Sequence, residues 1–512
     1  MGQKTGAATR INLTSLTRTP QHIFGKKIND DLLVEIFDFC RLDNISPNTY
    51  PRNNWWYTLA HVCQKWRRVL FATPTRLGIT LVCNSRTPVK DLLANSPPSL
   101  PLVIYWGNPG TFDTDESVKG AIAALGHQER VRRVTLRMSE NSLRMAFSCM
   151  DGRFPMLETL QLCCSSSDEY LRQRGETRLP DKFEAPNLRH LQLSDLKLLP
   201  PALLASSSSS SSSSIVTFSI GEISMEPDAL MKYLALMPHL KVLKIGVSFS
   251  IPSDRTERRE KELCAGDKPD SAPLALTDLE EFEYQGISKY LEAVAARISA
   301  PFLKKLSITI TNEIKDSAAN LDTTTFKHLS RLISGSAHLS FQFARVRFKD
   351  GFSIVMDHDE LWTGRGAFEL RFNNRGYYFD VMIGLVAKIC RAVASMPSTT
   401  VQSLLVEDGH RNQWHRKPDR GEWHELLRVF DNVQTLRVAG RVVGELDKAL
   451  GPKEKGKKGE KDALLLLPRL QEIVRYGDSE TKKEFAAFVQ ARQGAGSHIR
   501  VVDGPKNRLT LV

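Results

Sequence analysis

The densest group of side chains that could do chemistry is an acidic cluster beside a histidine. It comprises Asp357, His358, Asp359 and Glu360. Carboxylate and imidazole groups bind divalent metals and act in acid–base catalysis. However, adjacent residues of an extended chain point to opposite faces, so these groups do not converge on one ion. The spacing favours a solvated turn over a metal site.

A second concentration of histidines lies in a tryptophan- and arginine-rich stretch, at His410, His415 and His424. Their spacing matches no zinc-binding pattern and favours a surface loop that leads into a helix. The sequence also contains no phosphate-binding loop, no dinucleotide-binding glycine motif and no nucleophile elbow. We therefore expect a protein that is not an enzyme and that uses neither a cofactor nor a metal.

The cysteines indicate a reducing compartment. The chain has 8 of them and none lies in a Cys-x-x-Cys pair, while the adjacent Cys163 and Cys164 suit neither a disulfide nor a zinc site. The N-terminus lacks the apolar core of a signal peptide, and no apolar run is long enough to span a membrane. We expect a cytoplasmic or nuclear protein without a membrane partner.

The chain is basic, with a formal net charge of +12. A positive charge permits binding to nucleic acid. Here the lysines and arginines are spread among nearly as many acidic residues, and no dense basic stripe with interleaved aromatic residues occurs. The charge pattern therefore does not favour nucleic acid as a partner.

Two amphipathic helices are predicted near the N-terminus. Their apolar positions recur with helical spacing, at Leu32, Leu33, Ile36, Phe37 and Cys40, and then at Leu59, Val62, Cys63, Trp66, Val69 and Leu70. Asn29 is the expected N-cap of the first helix, and Pro74 ends the second near Phe71. By periodicity alone, these are the first helices of a globular domain.

The residue types in the two helices resemble the F-box, whose pattern is Leu-Pro-x-Glu-Leu-Leu-x-x-Ile-Phe followed by Val-Cys-x-x-Trp-Arg. The matching positions are Leu32, Leu33, Ile36, Phe37, Val62, Cys63, Trp66 and Arg67. Ile28 and Asn29 replace the usual Leu-Pro, and the loop at residues 42–53 is longer than is common. The continuation, residues 71–82, resembles F-box proteins that are abundant in mushroom-forming (basidiomycete) fungi.

This resemblance implies docking on a Skp-type adaptor, and through it on a cullin–RING ubiquitin ligase. The chain would then recognise an unknown protein substrate and contribute binding rather than chemistry. The implied adaptor-binding residues are Leu32, Leu33, Ile36, Phe37, Leu59, Val62, Cys63 and Trp66. Some of them must instead pack the helices together. The alternative is a non-catalytic interaction scaffold with no ligase role, in which the helices serve only as a cap.

One phrase, x-Pro-x-Leu-x-x-Leu-x-Leu, recurs through the remaining chain. Copies with the proline start at residues 154, 185, 237, 300 and 467, and copies without it occur at 279–284, 401–406 and 433–438, with an early one at 130–136. Helical patterns precede many copies, at Pro227–Leu236, Lys289–Ile298, Thr325–Ile333, Glu422–Phe430 and Thr481–Arg492. Repeated helix, turn and strand predict parallel strands with helices on one side.

The phrase resembles a degenerate leucine-rich repeat. The copies are unevenly spaced, and Ser165, Leu196, Ser248 and Thr311 replace the asparagine typical of that family. We therefore predict an α/β fold, with a small all-α F-box-like segment at residues 23–74 after a flexible tail at 1–22. An irregular leucine-rich-repeat-like solenoid follows at 75–512. The alternative is an ordinary α/β domain with leucine-rich strands.

Other patterns refine this prediction. The apolar run Leu102–Trp106 predicts a strand buried on both faces. Alternation at Phe341–Val355 predicts antiparallel strands that interrupt the solenoid. Flexible inserts are expected near 206–214, 253–272 and 451–461, because of their serine, glycine, proline or charged residues.

The residues between the last two leucines of each copy should face away from the core, on the concave side of the strands. This set, with the lysines that follow the first leucine, is the predicted substrate-binding surface: Gln161, Gln192, Lys241, Lys244, Lys304, Ser307 and Arg437. It leans positive, which suits an acidic or phosphorylated partner. The alternative is a merely solvated face.

Overall fold

In a computed structural model, the chain divides into two compact units. Residues Met1–Glu158 form the first and Thr159–Val512 the second. The predicted boundary between residues 74 and 75 therefore falls inside the first unit. The residues that the structure describes are 29–43, 55–72, 78–84, 88–107, 114–164, 179–194, 214–221, 225–247, 272–311, 326–336, 339, 341–348, 351–358, 367–373, 383–384, 386–387, 389–390, 400–408, 420–451, 466–476 and 485–504.

The first unit opens with helices whose ends follow from their sequence. They are α1 (Asp30–Asp43), α2 (Trp55–Ala60) and α3 (Gln64–Ala72). The side-chain oxygen of Asn29 accepts the backbone N–H of Asp31 at 3.1 Å, which confirms the predicted N-cap. Before α3, the sulfur of Cys63 accepts the backbone N–H of Trp66 at 3.5 Å. Both contacts satisfy amide groups that a helix start leaves unpaired.

The rest of the first unit alternates strands and helices. The strands are β1 (Ile79–Val82), β2 (Leu102–Trp106) and β3 (Val131–Met138); the helices are α4 (Val89–Ala94), α5 (Asp115–Leu125) and α6 (Glu140–Ser148). β2 pairs in parallel with β1 and β3, and Ile104 lies opposite Leu81 and Val134. These side chains are fully buried. Val103 and Tyr105 are only half-buried, so the prediction that β2 is buried on both faces was wrong, because its other face is partly open.

The second unit contains strands of 2 to 7 residues. They are β4 (Thr159–Cys164), β5 (His190–Ser194), β6 (Thr217–Gly221), β7 (Val242–Gly246), β8 (Leu274–Ala275), β9 (Glu281–Gly286), β10 (Ile298–Ser299), β11 (Lys305–Ile310), β12 (Phe343–Phe348), β13 (Gly351–Asp357), β14 (Phe368–Asn373), β15 (Ser403–Asp408), β16 (Thr435–Ala439), β17 (Glu472–Tyr476) and β18 (Arg500–Asp503). β8 and β10 form a small parallel pair, and the other strands belong to one sheet.

This sheet is parallel apart from one insertion. From β4 to β11 and from β15 to β18, neighbouring strands follow chain order and pair in parallel. Between them the order is β11-β14-β13-β12-β15, with β13 antiparallel to both of its neighbours. β14 and β12 remain parallel to β11 and β15.

The antiparallel strands predicted for Phe341–Val355 are thus present, and they interrupt the succession of parallel strands in chain order. The chain reverses direction twice, once into β13 and once out of it. The outer strands of this meander therefore keep the common direction and continue the ladder on both sides. The result is a solenoid-like α/β fold with a mostly parallel sheet.

The recurrent proline–leucine phrase forms a tight turn before its strand. The residue before the proline accepts the backbone N–H of the first leucine, at 3.2 Å for Phe154 and Leu157 and at 3.2 Å for Met237 and Leu240. The restricted φ of proline suits the second position of such a turn. The first leucine of these copies is fully buried, so each turn anchors the strand that follows.

The leucines of successive strands form a continuous apolar row. In register across the strands, this row contains Leu160, Leu191, Phe218, Leu243, Phe282 and Leu306. Each of these side chains is at most 1% exposed. The inward orientation predicted for the leucines is therefore confirmed, and their burial is the main source of stability for the sheet.

Helices follow several strands of the second unit. They are α7 (Pro227–Leu234), α8 (Ser288–Arg297), α9 (Lys327–Ser334), α10 (Arg420–Leu427), α11 (Val442–Leu450) and α12 (Ala486–Gly494). All except α11 correspond to predicted helices, with ends shifted by a few residues. The strands β6, β8, β10, β14 and β18 were also not predicted. The sequence analysis found no copy of the recurrent phrase and no other strand pattern at these positions.

Polar contacts join the neighbouring helices α7, α8 and α9. Arg297, only 6% exposed, donates to the carboxylate of Asp228 at 2.6 Å. The Glu292 carboxylate accepts the backbone N–H groups of His328 and Leu329, each at 2.9 Å, and so caps the start of α9 from the preceding helix. Burial raises the pKa of Glu292 despite these hydrogen bonds. These contacts link one helix of the array to the next.

Several predictions fall outside the described residues. They are the tail at 1–22, nearly all of the expected inserts at 206–214, 253–272 and 451–461, and the positions Ser165, Leu196 and Ser248. In the described part of the chain, no helix is long and apolar enough to cross a membrane.

Candidate functional site

The N-terminal helices pack around a small apolar core. Leu33 is fully buried and Phe37 is 4% exposed. The ring of Phe37 meets that of Trp66 edge-on, with centroids 5.3 Å apart, an arrangement that favours aromatic pairs. Val69 and Leu70 of α3 complete the core. Leu33 and Phe37, both predicted to bind an adaptor, therefore hold α1 against α3.

A second set of apolar side chains in these helices faces solvent. Leu32 is 53% exposed, Phe39 67%, Val62 51% and Phe71 45%. Leu32 and Phe39 are seven positions apart on α1, so they lie on the same side of this helix. Ile36, between them, is half-buried. These four side chains are not among the buried residues of the core between the helices.

The structure separates the predicted adaptor-binding residues by their exposure. Of the predicted adaptor-binding residues, Leu32 and Val62 are exposed, whereas Leu33 and Phe37 are buried. The remaining ones are half-buried: Ile36, Leu59, Cys63 and Trp66. Phe39 and Phe71 are exposed apolar residues that the motif comparison did not include. The sequence signal for Phe39 is its spacing from Leu32.

Ion pairs also join α1 and α3. The carboxylate of Asp30 lies 3.3 Å from Lys65 and 3.3 Å from Arg68. The guanidinium of Arg67 donates to the backbone carbonyl of Ala60 at 3.0 Å. Surface pairs such as these contribute little stability individually. They add to a contact between α1 and α3 that the apolar core already stabilises.

Most of the predicted substrate-binding residues lie on the face of the second unit's sheet opposite the leucines, while Lys241 and Lys304 directly precede β7 and β11. Gln161 lies opposite Gln192, and the register then passes through Ser219 to Lys244. It continues through β9 to Ser307, and Arg437 belongs to the same transverse row further along the sheet. One row therefore brings together residues that are far apart in sequence. We call this side of the sheet the polar face.

The predicted lysines form ion pairs with acidic residues that the sequence prediction did not include. Lys244 pairs with Glu283 at 2.6 Å. Glu280 lies 3.0 Å from Lys304 and 3.9 Å from Lys241. The hydrogen bond and charge of Lys304 lower the pKa of Glu280, and Lys241 adds to this effect. Three lysines thus meet two carboxylates, so these acids offset part of the positive charge predicted from the sequence and an excess of positive charge remains.

The backbone explains why these charges meet. The N–H of Glu280 donates to the carbonyl of Lys241 at 2.8 Å, and the N–H of Lys304 donates to the carbonyl of Glu280 at 2.8 Å. Lys241, Glu280 and Lys304 directly precede β7, β9 and β11, so the three residues lie next to one another across these strands. Glu280 and Glu283 belong to the copy of the phrase at 279–284. That copy lacks the proline on which the other copies were aligned, so these two residues were not compared with the lysines.

A group of arginines occupies the polar face around the antiparallel insertion. Arg345 donates two hydrogen bonds to the Oε1 atom of Glu407, at 2.9 and 2.6 Å. Arg347 lies 3.0 Å from the same oxygen, and Glu407 is only 5% exposed. Arg371 pairs with Glu369. One buried carboxylate therefore contacts two guanidinium groups.

The residues first considered for catalysis do not form a site among the described residues. Asp357 ends β13, while the ring of His358 lies 5.8 Å from that of Phe341. The Nε2 atom of His424 is 2.8 Å from the carbonyl oxygen of Ala449, which links α10 to α11. Asp359, Glu360, His410 and His415 lie outside the described residues. No metal-binding cluster occurs within the described segments.

Comparisons with known proteins identify no family. No family model matches the chain. No curated protein matches it either.

Two solved structures show partial similarity. The crystal structure of the TLR13–ssRNA13 complex is 10% identical, with a TM-score of 0.33, and the match covers 84% of this chain and 49% of that chain. This chain thus spans about half the length of the TLR13 chain. The leucine-rich repeat-containing protein LegL7 from Legionella pneumophila is 14% identical, with a TM-score of 0.24, covering 82% of this chain and 98% of that chain. At these scores the similarity supports no argument about function.

Proposed function

We propose that this chain is a substrate-recognition adaptor of a Skp–cullin–F-box type ubiquitin ligase. The N-terminal helices would dock on the Skp-type adaptor, and the polar face of the second unit's sheet would bind the protein to be ubiquitinated. The chain would supply binding and no catalysis. The observation that carries the proposal is the exposure of Leu32, Phe39, Val62 and Phe71 on otherwise packed helices.

Two independent lines support docking by these helices. The sequence matches the F-box pattern at positions that include Leu32 and Val62. In the structure, these two side chains are 53% and 51% exposed. Leu32 and Phe39 lie on one side of α1, and neighbouring exposed apolar side chains are typical of interaction sites.

A scaffold in which the helices act only as a cap is the second candidate, and it has support of its own. Leu100 and Ile79, which lie before β2 and in β1, pack into the same core as α1 and α3. The helices therefore cover apolar surface at the first strands. A cap of a repeat array, however, presents a polar outer face. The exposed phenylalanines favour docking over capping alone.

Co-purification of a Skp-type adaptor with the full chain tests the proposal. We expect Leu32→Asp and Val62→Asp each to abolish recovery, because a carboxylate would be buried in an apolar interface. Met145→Asp is the matched control: Met145 is 52% exposed, but it lies on α6 outside these helices. It should leave recovery unchanged.

The outcomes separate the two candidates. No adaptor recovery by the unaltered chain would favour the scaffold. Equal recovery from the unaltered chain and both aspartate variants would place the docking surface elsewhere. Circular dichroism of each variant verifies that the helices remain folded.

A further inference from the structure

The outer side of α1 carries a row of apolar side chains. Leu32 and Phe39 are exposed, and Ile36, which lies between them in the sequence, is half-buried. Residues three, four or seven positions apart share one side of an α-helix, so these side chains form a row roughly 10 Å long. We call Leu32, Ile36 and Phe39 the apolar strip.

Acidic side chains border the apolar strip. Glu35 is exposed and lies three positions after Leu32 and four before Phe39, so it neighbours both on the helix surface. Asp31, which is also exposed, lies four positions before Glu35 and extends the same side of the helix. The outer side of α1 therefore presents an apolar row with a negative row beside it.

The basic residues of α3 do not offset this negative row. Lys65 and Arg68 both pair with Asp30, at the first position of α1. Among the side chains that the structure describes, no lysine or arginine pairs with Asp31 or Glu35. The charges of Asp31 and Glu35 are therefore available to a partner.

The negative charge is a property of this helix rather than of the whole chain, whose net charge is +12. The sequence of α1 contains a single base, Arg41, and the acids Asp30, Asp31, Glu35, Asp38 and Asp43. Complementary charge selects partners and fixes their register at a binding surface. The charge of α1 thus distinguishes between the possible occupants of the apolar strip.

Three kinds of occupant could cover the apolar strip: a membrane, a second copy of this chain and a different protein. Helices that lie on anionic membranes carry lysine and arginine on their polar face, whereas the acids beside this strip would be repelled. A second copy that packed α1 against α1 would bring like charges together. A different protein with lysine or arginine beside its apolar residues would match both rows.

We propose that the apolar strip is the docking site for a basic amphipathic helix of a protein partner. The inference rests on the proposed function in taking α1 as part of the adaptor-docking surface, and it adds the chemistry of the adaptor segment that docks there. Apolar side chains of the partner helix would cover Leu32 and Phe39. A lysine or arginine beside them would pair with Glu35 and so fix the register of the partner along α1.

The test uses the full chain and a fluorescein-labelled peptide of leucine and lysine in which the leucines recur with helical spacing. Fluorescence anisotropy follows binding, and we expect the unaltered chain to bind the peptide. Asp31→Asn with Glu35→Gln should weaken binding at least about fivefold, because two opposite charges are lost. Asp31→Glu with Glu35→Asp keeps both charges, so its affinity should stay within about threefold of the unaltered chain.

The matched control is Asp115→Asn with Glu116→Gln, which removes the same charge from exposed positions in the first turn of α5. Its affinity for the peptide should stay within about twofold of the unaltered chain, because these acids lie on another helix. A second peptide, with glutamate in place of lysine, should not bind. Absence of lysine-peptide binding, an equal loss in the control, or equal binding of the glutamate peptide would each overturn the inference.

Two further measurements test the other occupants. The full chain should not sediment with vesicles of phosphatidylcholine and phosphatidylserine, and sedimentation velocity should show no dimer that depends on α1. Vesicle binding or dimer formation that Phe39→Asp abolishes would contradict the proposal. Unfolding midpoints verify that all variants are folded.

Failure of this inference is distinguishable from failure of the proposed function. Asp31→Asn with Glu35→Gln should lower recovery of the Skp-type adaptor as well as peptide affinity. Unchanged adaptor recovery by this variant, together with no peptide binding by the unaltered chain, would reject the basic partner helix and leave the ligase role in place. Charge-dependent peptide binding without adaptor recovery would reject the ligase role and leave the docking site in place.

Discussion

Two phenylalanines on α1 provide a direct test of the division between packing and docking. Phe37 is 4% exposed and contacts Trp66, whereas Phe39, two residues later, is 67% exposed. Phe37→Ala removes a buried ring and leaves a cavity, which costs about 3–5 kcal/mol. Phe39→Ala removes a ring that is mostly in water, so the expected change is within about 0.5 kcal/mol.

Amide hydrogen exchange, followed by mass spectrometry of peptides from α1 and α3, measures the local free energy of opening. Since about 1.4 kcal/mol corresponds to a tenfold change, Phe37→Ala should accelerate exchange by roughly a hundredfold to a few thousandfold, up to the limit of the unfolded chain. Phe39→Ala should leave exchange nearly unchanged.

Adaptor recovery and hydrogen exchange should respond differently to Phe39→Ala. This variant should lower the recovery of the adaptor while leaving the exchange of α1 and α3 unchanged. Similar exchange in both variants would refute the assignment of Phe37 to the core. Loss of protection in Phe39→Ala would show that the exposed group also packs.

Three further predictions concern the rest of the chain. Glu407→Ala should lower the free energy of unfolding by about 3–5 kcal/mol, because two guanidinium groups lose a buried partner. Glu472→Ala should lower it by under about 1 kcal/mol, since its arginine partner is exposed. Urea unfolding of both variants measures the difference. Burial raises the pKa of Glu292, so its contribution to stability is greatest at low pH and falls as pH rises through the folded pKa; the melting temperature of Glu292→Gln relative to the unaltered chain should therefore rise with pH. Burial raises the pKa of the Cys83 and Cys390 thiols to about 12, so iodoacetamide at pH 8 should modify them only after unfolding, as mass spectrometry can verify.

Local patterns predicted much of the fold. The proline–leucine phrase located β4, β5, β7 and β11, since a turn and its following strand are determined by neighbouring residues. Helix positions followed from apolar spacing for the same reason. Strands such as β14 were missed, because their pairing partners are distant in sequence and no turn signal precedes them.

The candidate site was predictable in part. The sequence identified the outward positions of the strands and the two apolar helices. It did not identify the partners of the lysines, because Glu280 and Glu283 lie on a strand between those of Lys241 and Lys304. Nor could the sequence show that Leu32 is exposed and Leu33 buried. Both fit the same apolar pattern, and only the position of α3 decides which one is covered.

By itself, the sequence determined which face of each strand carries leucine, because side chains alternate along a strand and the apolar ones must leave water. It also determined the tight turns, through proline and the buried leucine that follows it. The order β11-β14-β13-β12-β15 was decided only by the tertiary structure. That order places β12 beside β15, so that Arg345 and Arg347 contact Glu407. Charge balance on a surface depends on such neighbouring strands rather than on composition.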